Sequence, residues 1–299
     1  MIGLGALLKR NIKLFFKDKG MFFTSLITPM ILLLLYSTFL ANVYRDAFAS
    51  SIPTGVPIDD KLLDGAVGGQ LLSSLLAVCC VTVSFCSNFL MVQDKVTGAR
   101  GDLTMAPVRR STLALGYYLA SAAATLIICY AAAGASFLYL INVGWYLSGT
   151  DVAKILLDVF LLVMFGTALS SVINHFLCTQ GQISAVGSIV SAGYGFICGA
   201  YIPISQFGET LQTVISFLPG TYATALLRNH AMRGVFAAME ESGIPSAALE
   251  GMRAAVDCEI RFFDHAVSES AMYAILVVTV LVLVAAFVLL TKFVRTRVR

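Results

Sequence analysis

Residues 93–116 read QDKVTGARGDLTMAPVRRSTLALG, a charged island between two apolar runs that are each long enough to cross a bilayer. The run before it covers about 68–92 and the run after it about 112–143. About 30 Å of hydrocarbon at about 1.5 Å of rise per residue needs roughly 20 residues, and both runs supply them. Inside the island, DLTMAPVR (residues 102–109) reads as one helical turn broken by a proline, because Pro107 lacks an amide hydrogen. A compact polar turn between two membrane-length runs marks the place where the membrane part of the chain meets the cytosol.

Outward from this island the pattern repeats. Six apolar runs are present, at 21–41, 68–92, 112–143, 153–178, 182–203 and 270–293. Each is expected to be a helix, since unpaired amides are not tolerated in lipid and barrel strands would be about ten residues long with alternating faces. Composition agrees: the 299 residues are 58% hydrophobic and 12% charged, with a mean hydropathy of +0.86. One soluble core cannot hide that much apolar surface. The expected fold is an all-α integral membrane protein with six transmembrane helices, a single domain over residues 1–299.

Charge sets the orientation. One side of the six runs carries Lys9, Arg10, Lys13, Lys17, Lys19, Lys95, Arg100, Arg109, Arg110, Lys292, Arg295, Arg297 and Arg299, most of the 20 Lys and Arg, against only Asp18, Asp94 and Asp102 of the 17 acids. By the positive-inside bias both termini are cytoplasmic in a multi-pass protein of the plasma membrane. Ala47-Phe48-Ala49 imitates a signal-peptidase site, but the apolar run before it is too long for a signal peptide and Arg45 and Asp46 intervene, so the first helix is retained. Of the seven cysteines only Cys258 lies away from the spans, and neither a disulfide framework nor a metal-ligand spacing is present.

Ahead of the first span, Leu4, Leu7, Leu8, Ile12, Phe15 and Phe16 share one helical face and Lys9, Arg10, Lys13 and Lys17 the other, the pattern of an interfacial helix over residues 1–20 resting on membrane lipid. Ion-coupled carriers need an ionisable group at mid-depth. Here Asp158, one turn below Lys154, and His175 lie towards opposite ends of the fourth run, where both are expected to snorkel to the surface. The chain contains no Gly-x-x-x-x-Gly-Lys-Ser/Thr phosphate loop and its cytoplasmic segments are too short for a nucleotide-binding domain. No cofactor, catalytic residue or nucleic-acid partner is expected in it.

Two stretches resemble ABC-2 type transporter permeases. The first is the island, in which Asp94, Lys95, Gly98, Asp102, Leu103, Met105, Pro107, Val108 and Arg109 precede Gly116 at the opening of the third span; the family more often has Glu where Asp102 stands. The second is GAYIPISQFGETLQTVISFLPGTYATALLR, residues 199–228, with Pro203 closing the fifth span and Leu218, Pro219, Thr221, Tyr222 and Arg228 following. The resemblance implies a coupling segment at 93–111 that docks on a separate ABC ATPase, which carries the ATP and Mg, and an N-terminal helix that also rests against that ATPase. It further implies a second permease copy, as a homodimer or heterodimer, and export by alternating access.

Prolines 203 and 219 stop helices, so residues 204–228 are expected to dip partly into the outer leaflet and return as two short helical pieces, against a plain extracellular loop that the apolar content of 211–227 disfavours. Gly187, Ser191, Gly195 and Gly199 recur every four residues, a small-residue ridge for close packing within the chain or, as the resemblance implies, for a dimer interface and pathway. Gln70, Ser73, Ser74, Thr82, Ser84, Ser87 and Asn88 give the second span a polar load suited to lining a cavity, although Ser and Thr can also satisfy themselves on their own helix. Residues 229–269 are expected to form two amphipathic helices about a turn at 242–245, capping the outer face. The short segment 42–67 disfavours variants with a large outer domain. The reading is an exporter subunit for a hydrophobic or amphiphilic compound (drug-like, lipid or peptide), with a polysaccharide exporter of the same family, an ATP-independent scaffold or receptor, and an ion-coupled carrier as alternatives.

Overall fold

The computed structural model describes residues 3–52, 59–262 and 265–293. The chain is an all-α membrane protein. Its first helix, α1 (Leu4–Lys17), lays Leu7, Asn11 and Phe15 inward, and Asp18 both ends it and opens the next by accepting the Met21 amide at 3.0 Å. That next helix runs unbroken from Lys19 to Ser50 as α2 (Lys19–Leu35), a π turn (Tyr36–Leu40) and α3 (Ala41–Ser50), and so continues well past the expected end at residue 41. Within the turn region the Ser37 and Thr38 hydroxyls bond to the Leu34 carbonyl, one device by which a helix widens locally.

Helix α4 (Asp60–Asn88) begins eight residues earlier than the hydropathy pattern suggests and continues through α5 (Leu90–Val96). It is the centre of the bundle, buried along its apolar length and touched by α2 and α3 and by four helices beyond α5. A helix apolar all round belongs in such a position. Its polar residues divide: Asn88 donates to Ser170 and Ser171 at 2.9 and 2.7 Å, Ser87 meets Thr125 at 3.0 Å and Thr167 reaches Ser84 at 3.2 Å, while Ser73 and Thr82 donate to the Gln70 and Val78 carbonyls of their own helix. The Ser84, Ser87 and Asn88 part of the second span's polar load thus ties helices together.

After α6 (Ala99–Met105) come α7 (Arg110–Val143) and α8 (Gly149–Phe176), the latter opened by a capping box between Ser148 and Asp151. A second capping box, Thr179 with Gln182, opens α9 (Gln180–Ile197). Beyond it lie a 3-10 turn (Ile204–Gln206), α10 (Glu209–Ser216), α11 (Pro219–Glu241), α12 (Ser246–Ala255), a small antiparallel hairpin of β1 (Arg261–Phe262) and β2 (His265–Ala266), and α13 (Glu269–Phe293).

Five helical stretches among the described residues are long and apolar enough to cross a membrane: Lys19–Ser50, Asp60–Val96, Arg110–Val143, Gly149–Phe176 and Glu269–Phe293. The expected fifth span is shorter than the pattern indicates, since α9 stops at Ile197 rather than reaching Pro203, and its glutamines and serines dilute its hydropathy. The outer region also differs from expectation. In place of two short re-entrant pieces there is one short helix, α10, and one long one, α11, which packs into the bundle against α4, α8 and α13. The first of the two helices anticipated in 229–269 is the end of α11 itself. The turn at 242–245 and the helix after it fall as expected.

Asp158 and His175 do not snorkel. Asp158 accepts the Tyr273 hydroxyl at 2.7 Å and lies 2.5 Å from Nδ1 of His230, with both members of that pair wholly buried. His175 is equally buried, with Phe176 and Phe287 edge-on to its ring. Cys258, anticipated in an outer loop, is packed inside it, and burial pushes its thiol up to about 12. Residue 55 and Arg295, Arg297 and Arg299 lie outside the described residues.

Candidate functional site

The root of the segment expected to couple is fastened at two adjacent residues of opposite charge that do not pair with each other. Asp94 accepts both guanidinium nitrogens of Arg10, at 2.7 and 2.9 Å, and the Tyr117 hydroxyl at 2.5 Å. This bidentate bond locks α1 to the end of α5 and to α7 and raises the affinity of the Arg10 guanidinium for its proton above the ordinary value. Lys95, only 1% exposed, points the other way and donates to the carbonyls of Asn174, His175 and Leu177 at 3.0, 2.6 and 2.9 Å. Those carbonyls close α8, where the helix leaves acceptors unmet and its dipole is negative. Asp94 and Lys95 are therefore built into the membrane body, and neither is exposed for docking.

The exposed part of the segment begins at Val96, and Gly98, whose φ of 82° suits glycine, opens α6. No residue of α6 is buried. Asp102 sits exposed in its first turn, where a carboxylate complements the helix dipole. Leu103 and Val108 are half-buried and pack on the cluster of Leu7, Met91, Leu113 and Tyr117, while Met105 is 86% exposed with Pro107 and Arg109 exposed around it. The helical turn expected at 102–109 is thus a seven-residue helix ending before Pro107, with Ala106 extended. Gly116 faces Leu7 across the α1–α7 contact. The segment exposes Met105 almost fully, and Arg109 and Arg110, also exposed, follow it in the chain.

A cavity of about 610 Å³ opens between α2, the α4–α5 junction and α9. Thr28, Gln93, Gln180, Ser184 and Ser191 give it hydroxyl and amide groups, and Ile27, Phe89 and Ile183 give it apolar wall; Asp18 is the one carboxylate among the described residues lining it. Two members of the α9 ridge, Gly187 and Ser191, lie on this wall, Gly187 against the Phe89 ring. The other two face the chain itself. Gly195 is covered by the ring of Tyr201, which leaves no room for a side chain, and Gly199, at φ 68°, closes the helix beside Arg228 and Asp257.

In the segment after α9, Pro203 precedes the 3-10 turn, Leu218 caps α11, and Pro219 occupies its first turn, where a missing amide costs nothing. Thr221 donates to the Ile215 carbonyl at 3.0 Å and Tyr222 to the Ser216 carbonyl at 2.6 Å, so the Leu-Pro-x-Thr-Tyr run staples α11 to the end of α10. Arg228 is 1% exposed; it donates to the carbonyls of Cys198 and Gly199 at 3.0 and 2.5 Å and pairs with Asp257 at 3.6 Å. Asp257 in turn accepts the amides of Ile204 and Ser205. Arg10, Tyr117, His230, Asp257 and Tyr273, the partners in these networks, carry no local signal in the sequence. They come from elements far along the chain.

The profile of the ABC-2 type transporter family matches residues 3–231, from the start of α1 to the middle of α11. No curated protein matches the chain.

Proposed function

Because the chain belongs to the ABC-2 type transporter family, we propose that it is the membrane subunit of an exporter driven by a separate ABC ATPase. The family is one of transport permeases, so the chain's task is passage across the membrane and not catalysis. We place six spans and both termini on the cytoplasmic side of the plasma membrane, with α9 as the short fifth span and two permease copies in the working unit. The observation that carries the reading is α6: a helix without a buried residue, tipped by Met105 and mounted on the two buried anchors Asp94 and Lys95. A tip with no packing partner of its own suits a partner protein, and the ATPase with its ATP and Mg is the partner the family implies.

The mixed hydroxyl, amide and apolar lining of the cavity suits an amphiphilic cargo, whose polar part meets Thr28 and Gln180 while its apolar part meets Ile27 and Phe89. Closure of the ATPase pair around nucleotide presses on α6 and rocks the helices around this cavity. Co-purification with candidate ABC ATPases, followed by ATP turnover with lipids, peptides and drug-like amphiphiles as cargo, tests the proposal. A permease that retains no ATPase in any such pairing contradicts it.

A further inference from the structure

We infer that Lys95 is a positioning residue which carries movement of α6 to α9, the helix that lines the cavity; the inference rests on the ATPase-driven reading above. All three ammonium hydrogens of Lys95 are spent on the last carbonyls of α8. It makes no ion pair among the described residues. Its buried charge is met by the negative end of the helix, so lysine and helix end move together.

Both sides of this clamp are stiff. Towards α6 the backbone is bonded without a gap, Gly98 to the Lys95 carbonyl at 3.3 Å and Gly101 to the Gly98 carbonyl at 2.8 Å. Towards the cavity only Cys178 separates Leu177, the last clamped carbonyl, from Thr179, which opens α9. Gln182 Oε1 accepts the amides of Cys178 and Thr179 at 2.7 and 3.2 Å, while the Gln182 amide donates to the Thr179 hydroxyl at 3.3 Å. The connection is too short and too fully bonded to take up slack. The next turns of α9 place Ile183, Ser184, Gly187, Ser188 and Ser191 on the cavity wall. Asp94, tied to Arg10 and Tyr117, holds the opposite side of the same root and serves as its pivot.

The test uses the complex of permease and ATPase carrying Cys178→Ser and Ser188→Cys, with the rate of maleimide labelling at residue 188 measured with and without ATP and vanadate. Nucleotide is expected to change the labelling rate when Lys95 is present. In Lys95→Met the complex that still retains the ATPase loses the nucleotide response at residue 188, and Lys95→Arg restores it. A purely structural lysine would lower the yield or melting temperature of Lys95→Met yet leave the response intact in the complex that assembles, and that result overturns the inference. Should Lys95→Met fail to assemble, Lys95→Gln, which keeps one amide donor, carries the same comparison with the same two outcomes. Absence of any nucleotide response in the protein with Lys95 contradicts the ATPase-driven reading itself, and this inference with it.

Discussion

Arg228→Met removes the hub that holds the outer segment over the end of α9. The side chain keeps its length and apolar stem but loses the guanidinium, leaving the carbonyls of Cys198 and Gly199 without that donor and Asp257 without its countercharge. Breaking a buried ion pair by deleting one partner costs about 3–5 kcal/mol. Asp257 still accepts the amides of Ile204 and Ser205, which compensate part of its charge, so the expected loss is at the lower end, about 3 kcal/mol. At about 2–4 °C per kcal/mol this corresponds to a fall of about 6–12 °C in the apparent melting temperature of the detergent-solubilised protein. Arg45→Met is the comparison, because Arg45 pairs with Asp60 and Asp64 at a partly exposed site, where surface pairs contribute about 0–1 kcal/mol. If Arg228→Met melts within a degree or two of Arg45→Met, the buried hub does not stabilise the outer segment and the reasoning fails.

Two further outcomes are expected. Gly195→Leu must displace the Tyr201 ring and should cost about 1–3 kcal/mol of stability, whereas Val190→Leu, half-buried on the same helix, should cost less; equal melting temperatures for the two would remove the Tyr201 contact as the reason for a glycine there. In intact cells a membrane-impermeant maleimide should label Glu250→Cys but not Met105→Cys, and Cys258 should stay unlabelled below its raised range, since the thiolate is the reactive form and the thiol is buried. Labelling of residue 105 from outside would invert the topology.

What could be read from the sequence was whatever depends on neighbours along the chain. The span at 112–143 and the turn at 242–245 are local matters of apolar run length and helix-breaking residues, and they fall where the pattern puts them. The position of α6 was legible for the same reason, although its helix starts at Ala99, ahead of the stretch that drew attention. The roles of Asp94 and Lys95 were not legible, since two adjacent opposite charges near a membrane edge read as solvated, and their partners Arg10 and Asn174 stand about 80 residues away in sequence. Asp158 misled in the same way. A carboxylate near the end of a span snorkels unless the fold supplies a partner, and His230 and Tyr273 arrive 72 and 115 residues later. The length of α11 was hidden by Arg228, Asn229 and His230, which read as the end of apolar structure but find partners at Cys198, Cys258 and Asp158, far away in the chain.

On the proposed function, α6 is the point where the ATPase engages. Met105 and Arg109 are exposed and Arg109 forms no ion pair among the described residues, so Met105→Asp and Arg109→Glu have no fold to disrupt. The decisive measurement is the permease-dependent rate of ATP hydrolysis by the purified complex in proteoliposomes, taken alongside the melting temperature of each permease variant. Both variants should melt with the parent protein yet lose ATPase retention and the permease-dependent hydrolysis. Unchanged retention and hydrolysis in both variants would contradict the assignment of α6 as the coupling helix.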